Sequence, residues 1–491
     1  MRATGTLKFF AIVVALLALL CIVFPKDGIA VGGITLRFPS LHKVLVREKV
    51  KSIDQLIVKH SERDLSGVRD SLQDLHHLIL VGQTRLWLPN DDVSCFDAFF
   101  KSVEEAQSQK RTVRILHYGD SQIEQDRISC RLRERMQMLF GGGGPGMLPL
   151  RQPIPTMSFS QSASGSIRGL STYGDSTFSR SNGNYGPMLR CWRLTGGATM
   201  TLSASRSRYA SERVGKFSSI RVLYNNRPGP LSVSMRNRRG PGEYSESSSQ
   251  SGVGLISWRM DTVTSSASVS LKGTADIYGV LVDEGYGVAV DNISMRGVSG
   301  HQFKMANFNQ LVESYKLLDV GMIIMQFGGN SVPYLKSEKS INSYCEHLGE
   351  QIDYVRQACP DAAILFIGPS DMSTKVGGQL ATYPMLPTVV ERLRQMANEH
   401  GAAYWSIYDA MGGKNSMISW VKNGYAGSDY IHFSYKGSNI MGDYLSDILQ
   451  YMYELYKIRQ QISPTQFNEI WKSLNSMDEN QQQHNNTLNA V

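Results

Sequence analysis

The sequence predicts an α/β protein: a three-layer α/β/α unit with a parallel five-stranded sheet, interrupted by an inserted β-sandwich of jelly-roll type. Three observations predict it. Short β-branched and apolar runs alternate with helical segments on either side of the chain's middle, the rhythm of right-handed βαβ crossovers. From about residue 150 to 284 the helical signal vanishes, and short alternating runs appear between Gly, Pro, Asn and Ser clusters. At 491 residues the chain also exceeds one ordinary core.

The elements follow in order. Arg2 and Lys8 precede an apolar run from Phe9 to Phe24, closed by Pro25, Lys26 and Asp27. As a helix the run would span about 24 Å, a little less than the ~30 Å hydrocarbon core. It reads either as an uncleaved membrane anchor over residues 8–24 or as a signal peptide cut after Ala30, where Gly28 and Ala30 give a small-x-small site. Both place the rest outside the cytoplasm, in the periplasm or secreted. Residues 31–110 read as a helical lead-in, with a helix near Cys95–Gln109. Thr112–Tyr118 reads as a buried strand ending at Gly119-Asp120-Ser121. A helix is expected over Gln122–Phe140, with Ile128, Leu132, Met136 and Leu139 on one face, stopped by Gly141–Gly144.

The insert, 150–284, carries 16 Lys+Arg against 8 Asp+Glu, a net +8. The whole chain is also +8, so the remainder balances. A basic module suits either a solvated surface or an anionic polymer. Trp192, Trp258 and Tyr244 read as sandwich core, with sugar stacking as the alternative. After 285 come strands at Val288–Ile293, Met322–Gln326, Ala362–Ile367 and Ala402–Ile407. Helices are expected near Gln302–Leu317, Ser340–Ala358 and Leu386–Glu399. A last long helix, Gly437–Lys457, shows Ile440, Tyr444, Ile448 and Met452 on one face. The discontinuous α/β unit is thus 111–149 plus 285–460. Residues 461–491 read as a helix and a Gln/Asn-rich disordered tail from Asn475. Six cysteines in a chain this long form no disulfide framework. Cys345 and Cys359, on one helix about 21 Å apart, are beyond disulfide reach. No Cys/His cluster has zinc spacing. No metal, cofactor or nucleic-acid partner is expected.

Gly119-Asp120-Ser121 puts a hydroxyl where a strand turns into a helix, where backbone N–H groups favour developing negative charge. Asp429-Tyr430-Ile431-His432 sets a carboxylate three residues before an imidazole, on a loop before a helix. Acyl transfer from an ester needs these parts: a serine, a base within hydrogen-bond reach, and an acid that fixes the base's tautomer. Each motif alone is weak. Together with two further blocks the chain resembles the SGNH/GDSL hydrolase family. Gly119-Asp120-Ser121 resembles its first block, Gly297 within Met295–Gly300 the second, Gly328-Gly329-Asn330 the third and Asp429-x-x-His432 the fifth.

The resemblance implies a flavodoxin-like three-layer fold and a triad of Ser121, His432 and Asp429. It implies an oxyanion hole from the Ser121 and Gly297 backbone N–H groups and the Asn330 side chain. Asp120, Ser370 and Asp371 are supporting candidates. His117, in the buried strand, reads as structural, and Glu124, Asp126 and Arg127 as a salt-linked helix start. Two departures stand out: Gln122 follows the serine where the family has Leu, and Ser331 follows Asn330 where Asp is frequent. An insert placed after the first block resembles peptidoglycan O-acetylesterases, which carry a carbohydrate-binding-like module there. This implies an esterase acting on an acylated polysaccharide, peptidoglycan or another surface glycan. The alternatives are an O-acetyltransferase on a surface glycan, or a non-catalytic glycan-binding or assembly protein with this fold.

Overall fold

The computed structural model describes residues 65–489, apart from 175–176, 208, 239, 241 and 249–250, together with two short strands near the N-terminus. Those strands, Ile29–Val31 and Ile34–Leu36, pair antiparallel. The apolar run Phe9–Phe24 lies outside the described residues. Among the described residues no helix is long and apolar enough to cross a membrane.

The parallel sheet follows from five apolar runs that are buried on both faces, as crossover helices require. In spatial order they are Gly287–Ser294, Thr112–Gly119, Val320–Gln326, Ala363–Gly368 and Ala403–Ser406. All five are parallel. The sequence expectation of five strands needs one addition. Leu86–Trp87, in the lead-in expected to be helical, pairs antiparallel with Tyr404 and Trp405 and makes a sixth edge strand. Two residues are too few to show an alternation. Among its described residues the lead-in also carries the helices Leu65–Leu80 and Asp97–Ser108.

The helix expected over Gln122–Phe140 is broken. A 3₁₀ segment spans Ser121–Asp126, and the α-helix starts only at Ser129. Gln125, Asp126 and Ile128 have φ of 62°, 67° and 60°, conformations uncommon for residues with a side chain. Buried pairs hold the break: Arg133 Nη1 and Nη2 donate to Asp126 at 2.5 and 2.9 Å. Gly144 then passes so close to the strand Asp276–Asp283 that a Cβ would lie 2.3 Å from Val282 O, which only glycine allows.

The remaining helices are close to expectation, with caps the sequence supplies. Asn307 caps Phe308–Leu318, Ser337 and Ser340 form a capping box on Glu338–Ala358, and Ser434 caps Tyr435–Arg459. On the last of these the buried stripe is Met441, Leu445, Ile448 and Met452. Ile440 and Tyr444 are only half-buried; the helix is apolar broadly enough that spacing alone could not choose between adjacent stripes. The C-terminal helix spans Pro464–Asn489, so the segment from Asn475 is helical and the expectation of a tail there is corrected. Phe467, Trp471 and Leu474 anchor its first half by burial.

Nine antiparallel strands between Gly146 and Asp283 form the insert. They belong to one hydrogen-bonded network rather than to two separate sheets. The strand Arg190–Ala204 explains this: Gly196–Ser203 pairs with Ser266–Gly273, whereas Trp192 and Arg193 pair with Ile277 and Asp276. The network closes on its own apolar core, including Leu194, Met200, Val222, Val233 and Val269. Trp192 and Trp258 are buried in that core and Tyr244 packs against it, as the sequence suggests. A buried cluster ties insert and parallel sheet together. Arg114 Nη1 donates to both oxygens of Asp291 at 2.7 and 3.0 Å, and Nη2 donates to Asp283. Arg221 of the insert meets the same Asp283 oxygen at 2.6 Å.

Candidate active site

Ser121 begins the 3₁₀ turn after the strand Thr112–Gly119. Asp120 shapes this turn by accepting from Gln122 N at 2.9 Å. Ser121 Oγ lies 2.8 Å from His432 Nε2, across 311 residues of sequence. His432 Nδ1 lies 2.7 Å from Asp429 Oδ2. The other Asp429 oxygen accepts the backbone N–H of Ile431 at 3.0 Å and of His432 at 3.1 Å. The Asp-x-x-His spacing therefore works as a local turn, with Tyr430 at φ 57° inside it. An imidazole that donates from Nδ1 to Asp429 is free at Nε2 to accept the Ser121 proton. Burial pushes the Asp429 carboxyl up, but the hydrogen bonds from His432 and the backbone outweigh it. The carboxyl is held below its ordinary value and stays ionised at neutral pH.

The third block meets the first two. Asn330 Nδ2 donates to Asp120 Oδ2 at 3.3 Å and to Val298 O at 3.0 Å. Both amide protons are thus engaged by protein acceptors, the longer bond being the one to Asp120. Gly297 stands in an exposed turn at φ 75°, with no atom within 4 Å of where a Cβ would be. It is not among the residues that line the Ser121 cleft. Asp120 is buried, and burial raises its carboxyl to about 6 despite the bond from Gln122 N.

The residue after Ser121, where the sequence departs from Leu, is a staple. Gln122 Nε2 donates to Ile431 O at 2.7 Å and to Ser370 Oγ at 3.1 Å. Its Oε1 accepts Phe433 N at 3.2 Å. One buried amide therefore holds the backbone on both sides of His432. Arg127 adds a second tie: it donates to Ser121 O at 2.6 Å, to Phe433 O at 3.0 Å and to Glu124 O at 3.0 Å. Glu124 in turn pairs with Arg296, beside Gly297, at 2.8 Å. The ties to Ile431, Ser370, Phe433 and Arg296 are invisible in the sequence, because these partners lie about 170 to 310 residues away. Ser370 lines the cleft. Asp371 does not: its oxygens accept from Thr382 Oγ1 at 2.7 Å and Met417 N at 2.8 Å, a structural task at the start of the helix Ser416–Lys422. His117 is also structural, buried between Ser129 Oγ at 2.9 Å and Gln326 Oε1 at 3.1 Å. Burial lowers its imidazole to about 4.

The cleft beside Ser121 has a volume of about 190 Å³ and is lined by Asp120, Ser121, Asn330, Tyr334, Ser370 and His432 among others. A larger hollow of about 570 Å³, between His76, Trp87, Arg394 and Trp471, contains no residue of the triad. Size alone does not locate the chemistry; the chain of hydrogen bonds does.

No protein-family model matches the chain, and no curated protein matches it. Solved structures do. A peptidoglycan O-acetylesterase superposes with a TM-score of 0.59 at 21% identity, over 76% of this chain and 99% of the other. A carbohydrate esterase family 2 enzyme with its carbohydrate binding domain, from Corynascus thermopiles (Myceliophthora fergusii), gives a TM-score of 0.26 at 12% identity, over 58% and 99%. An acetyl xylan esterase gives 0.25 at 11%, over 32% and 79%. Scores this low add nothing to the first. The chain has the fold of that peptidoglycan O-acetylesterase over 76% of its length, and its resemblance to SGNH/GDSL hydrolases holds at the level of the fold.

Proposed function

We propose that this protein is an extracytoplasmic serine esterase that removes O-acetyl or similar acyl groups from peptidoglycan or another surface polysaccharide. The observation that carries the reading is the unbroken relay Asp429–His432–Ser121, with links of 2.7 and 2.8 Å. His432 takes the Ser121 proton as Oγ attacks the ester carbonyl. Asp429 fixes the tautomer and stabilises the imidazolium. The alkoxide leaves with the proton returned by His432, and water then hydrolyses the acyl-enzyme with His432 again as base. The Ser121 backbone N–H, at the start of a helical turn, is suited to the oxyanion. The Gly297 N–H and the Asn330 side chain are its proposed companions, and Asn330 would donate by yielding its long bond to Asp120.

The choice of a polysaccharide ester rests on the likeness to the peptidoglycan O-acetylesterase and on the insert. Export rests on the apolar segment at residues 8–24, as anchor or signal. Hydrolysis is favoured over transfer to a second glycan by the openness of the relay: the His432 and Asp429 side chains are 36% and 48% exposed, so water reaches the acyl-enzyme. The test is acetate release from O-acetylated peptidoglycan and from acetylated xylan, by wild type and by Ser121→Ala. Wild type should prefer peptidoglycan, and Ser121→Ala should lose about a thousandfold or more in kcat. Equal rates for the two proteins would contradict the reading. Suppression of acetate release by a glycan acceptor, with acetyl appearing on it, would establish the transferase instead.

A further inference from the structure

Tyr334 is 80% accessible, the highest value among the exposed large apolar side chains, and it lines the cleft of Ser121. Scattered exposed apolar residues are ordinary on a protein surface. Tyr334 differs in how it is held. It closes the 3₁₀ turn Val332–Tyr334, four residues beyond Asn330. Val332 and Leu335, on either side of Pro333 and Tyr334, are buried at 1% and 7% exposure. Tyr334 N donates to Ser331 O at 2.9 Å, and Ser331 N to Gly328 O at 3.0 Å. A backbone pinned this firmly delivers one large ring into water at the mouth of a polar cleft. Burying such a ring is favourable, and the fold forgoes that gain here.

The cleft itself is small. Its volume of about 190 Å³ falls below the ~300–1,000 Å³ of pockets that enclose drug-sized ligands. It suits an acyl group and its ester linkage, while the sugar that bears the ester must rest on the rim. The two tryptophans of the insert cannot serve as that rest, since Trp192 and Trp258 are buried in its core at 7% and 8% exposure. A tyrosine ring offers an apolar face to the C–H face of a pyranose and a hydroxyl to its polar edge. We propose that Tyr334 is the stacking platform of a sugar subsite at the cleft mouth, which seats the pyranose ring carrying the ester bond attacked by Ser121. This rests on the polysaccharide-esterase reading and adds to it the residue that recognises the sugar.

The experiment compares wild type, Tyr334→Ala, Tyr334→Trp and Leu317→Ala on O-acetylated peptidoglycan and on p-nitrophenyl acetate. Leu317 is an exposed apolar residue that does not line the cleft and serves as control. Tyr334→Ala should raise the apparent KM on peptidoglycan about three- to tenfold relative to its effect on the small ester. Its kcat should change far less than its KM. Tyr334→Trp should restore the wild-type ratio, which a merely structural role would not allow. In the Ser121→Ala background, calorimetric binding of chitotetraose should weaken by a similar factor when Tyr334 becomes Ala. If Tyr334→Ala keeps the wild-type ratio of the two activities, or Trp fails to restore it, the platform is overturned while the esterase stands. If wild type cleaves p-nitrophenyl acetate but neither deacetylates peptidoglycan nor binds chitotetraose, the polysaccharide reading fails and the platform with it.

Discussion

Asp120 sits one residue before Ser121, and burial makes its carboxyl a titrating group within the turn. Burial lifts it to about 6, above the ~3.9 of a carboxyl in an unfolded chain. Between these values the folded protein binds the proton that the unfolded chain has released. The group's contribution is therefore fully present below about pH 4 and is lost as pH rises through about 6. Thermal unfolding of wild type and Asp120→Asn across pH 4–7 should show the wild type losing stability relative to the variant over that interval. Parallel profiles would contradict the burial argument. The meeting of Ser121, His432 and Asp429 was legible in the sequence as two weak motifs, and the place of Asn330 in the cleft through family resemblance, whereas Gly297 does not line the cleft. The charge state of Asp120 was not legible, because it depends on what covers the carboxyl. Asp371 does not join the cleft, because its oxygens are spent on Thr382 and on the start of the helix Ser416–Lys422.

The site is assembled from three separate elements: the Ser121 turn, the Asn330 loop and the Asp429–His432 loop. Gln122 joins the first to the last through Ile431 O and Phe433 N. Gln122→Leu restores the residue type of the family's first block, yet removes both ties and leaves two buried backbone groups unpaired. Each such group typically costs about 1–3 kcal/mol, and a displacement near 1 Å can cost about a hundredfold in rate. Gln122→Leu should therefore lower kcat by about ten- to a hundredfold, with a smaller change in KM. Gln122→Glu, which keeps the acceptor for Phe433 N, should lose less. An unchanged kcat in Gln122→Leu would show that Arg127 alone suffices to seat the His432 loop. The five parallel strands were legible because each is buried on both faces and so reads as an unbroken apolar run. The break between the 3₁₀ turn and the helix at Ser129 was not. It depends on three residues of positive φ, of which Asp126 is held by the buried Arg133, and helical spacing continues across it.

At the scale of the whole molecule, an inserted module must be fixed to its host. The fully buried Arg114 sits on the strand Thr112–Gly119 and holds Asp291 of the neighbouring strand and Asp283 of the insert. Burial pushes the Asp283 carboxyl up, but Arg221 and Arg114 outweigh it and hold it below its ordinary value. Its stabilising effect is thus present above the unfolded value and is lost as pH falls through the lower folded one. Arg114→Met strands the buried Asp291 carboxylate and leaves Asp283 to Arg221, and should destabilise the protein by about 3–5 kcal/mol, read from urea unfolding. The double variant Arg114→Met/Asp291→Leu should recover part of that loss. No loss in the single variant would mean that water enters the cluster. This arginine was hidden inside an apolar strand pattern, and nothing local marks its partners. The insertion point itself was legible, because helical periodicity stops after the glycines that close the first helix.

The central claim is that His432 activates Ser121. It is tested most directly by treating the folded protein with a fluorophosphonate ester and mapping the adduct by peptide mass spectrometry. The relay predicts one covalent adduct, on Ser121, formed rapidly in wild type and at least about a hundredfold more slowly in His432→Ala. An adduct on a different serine, or labelling of Ser121 that does not depend on His432, would contradict it.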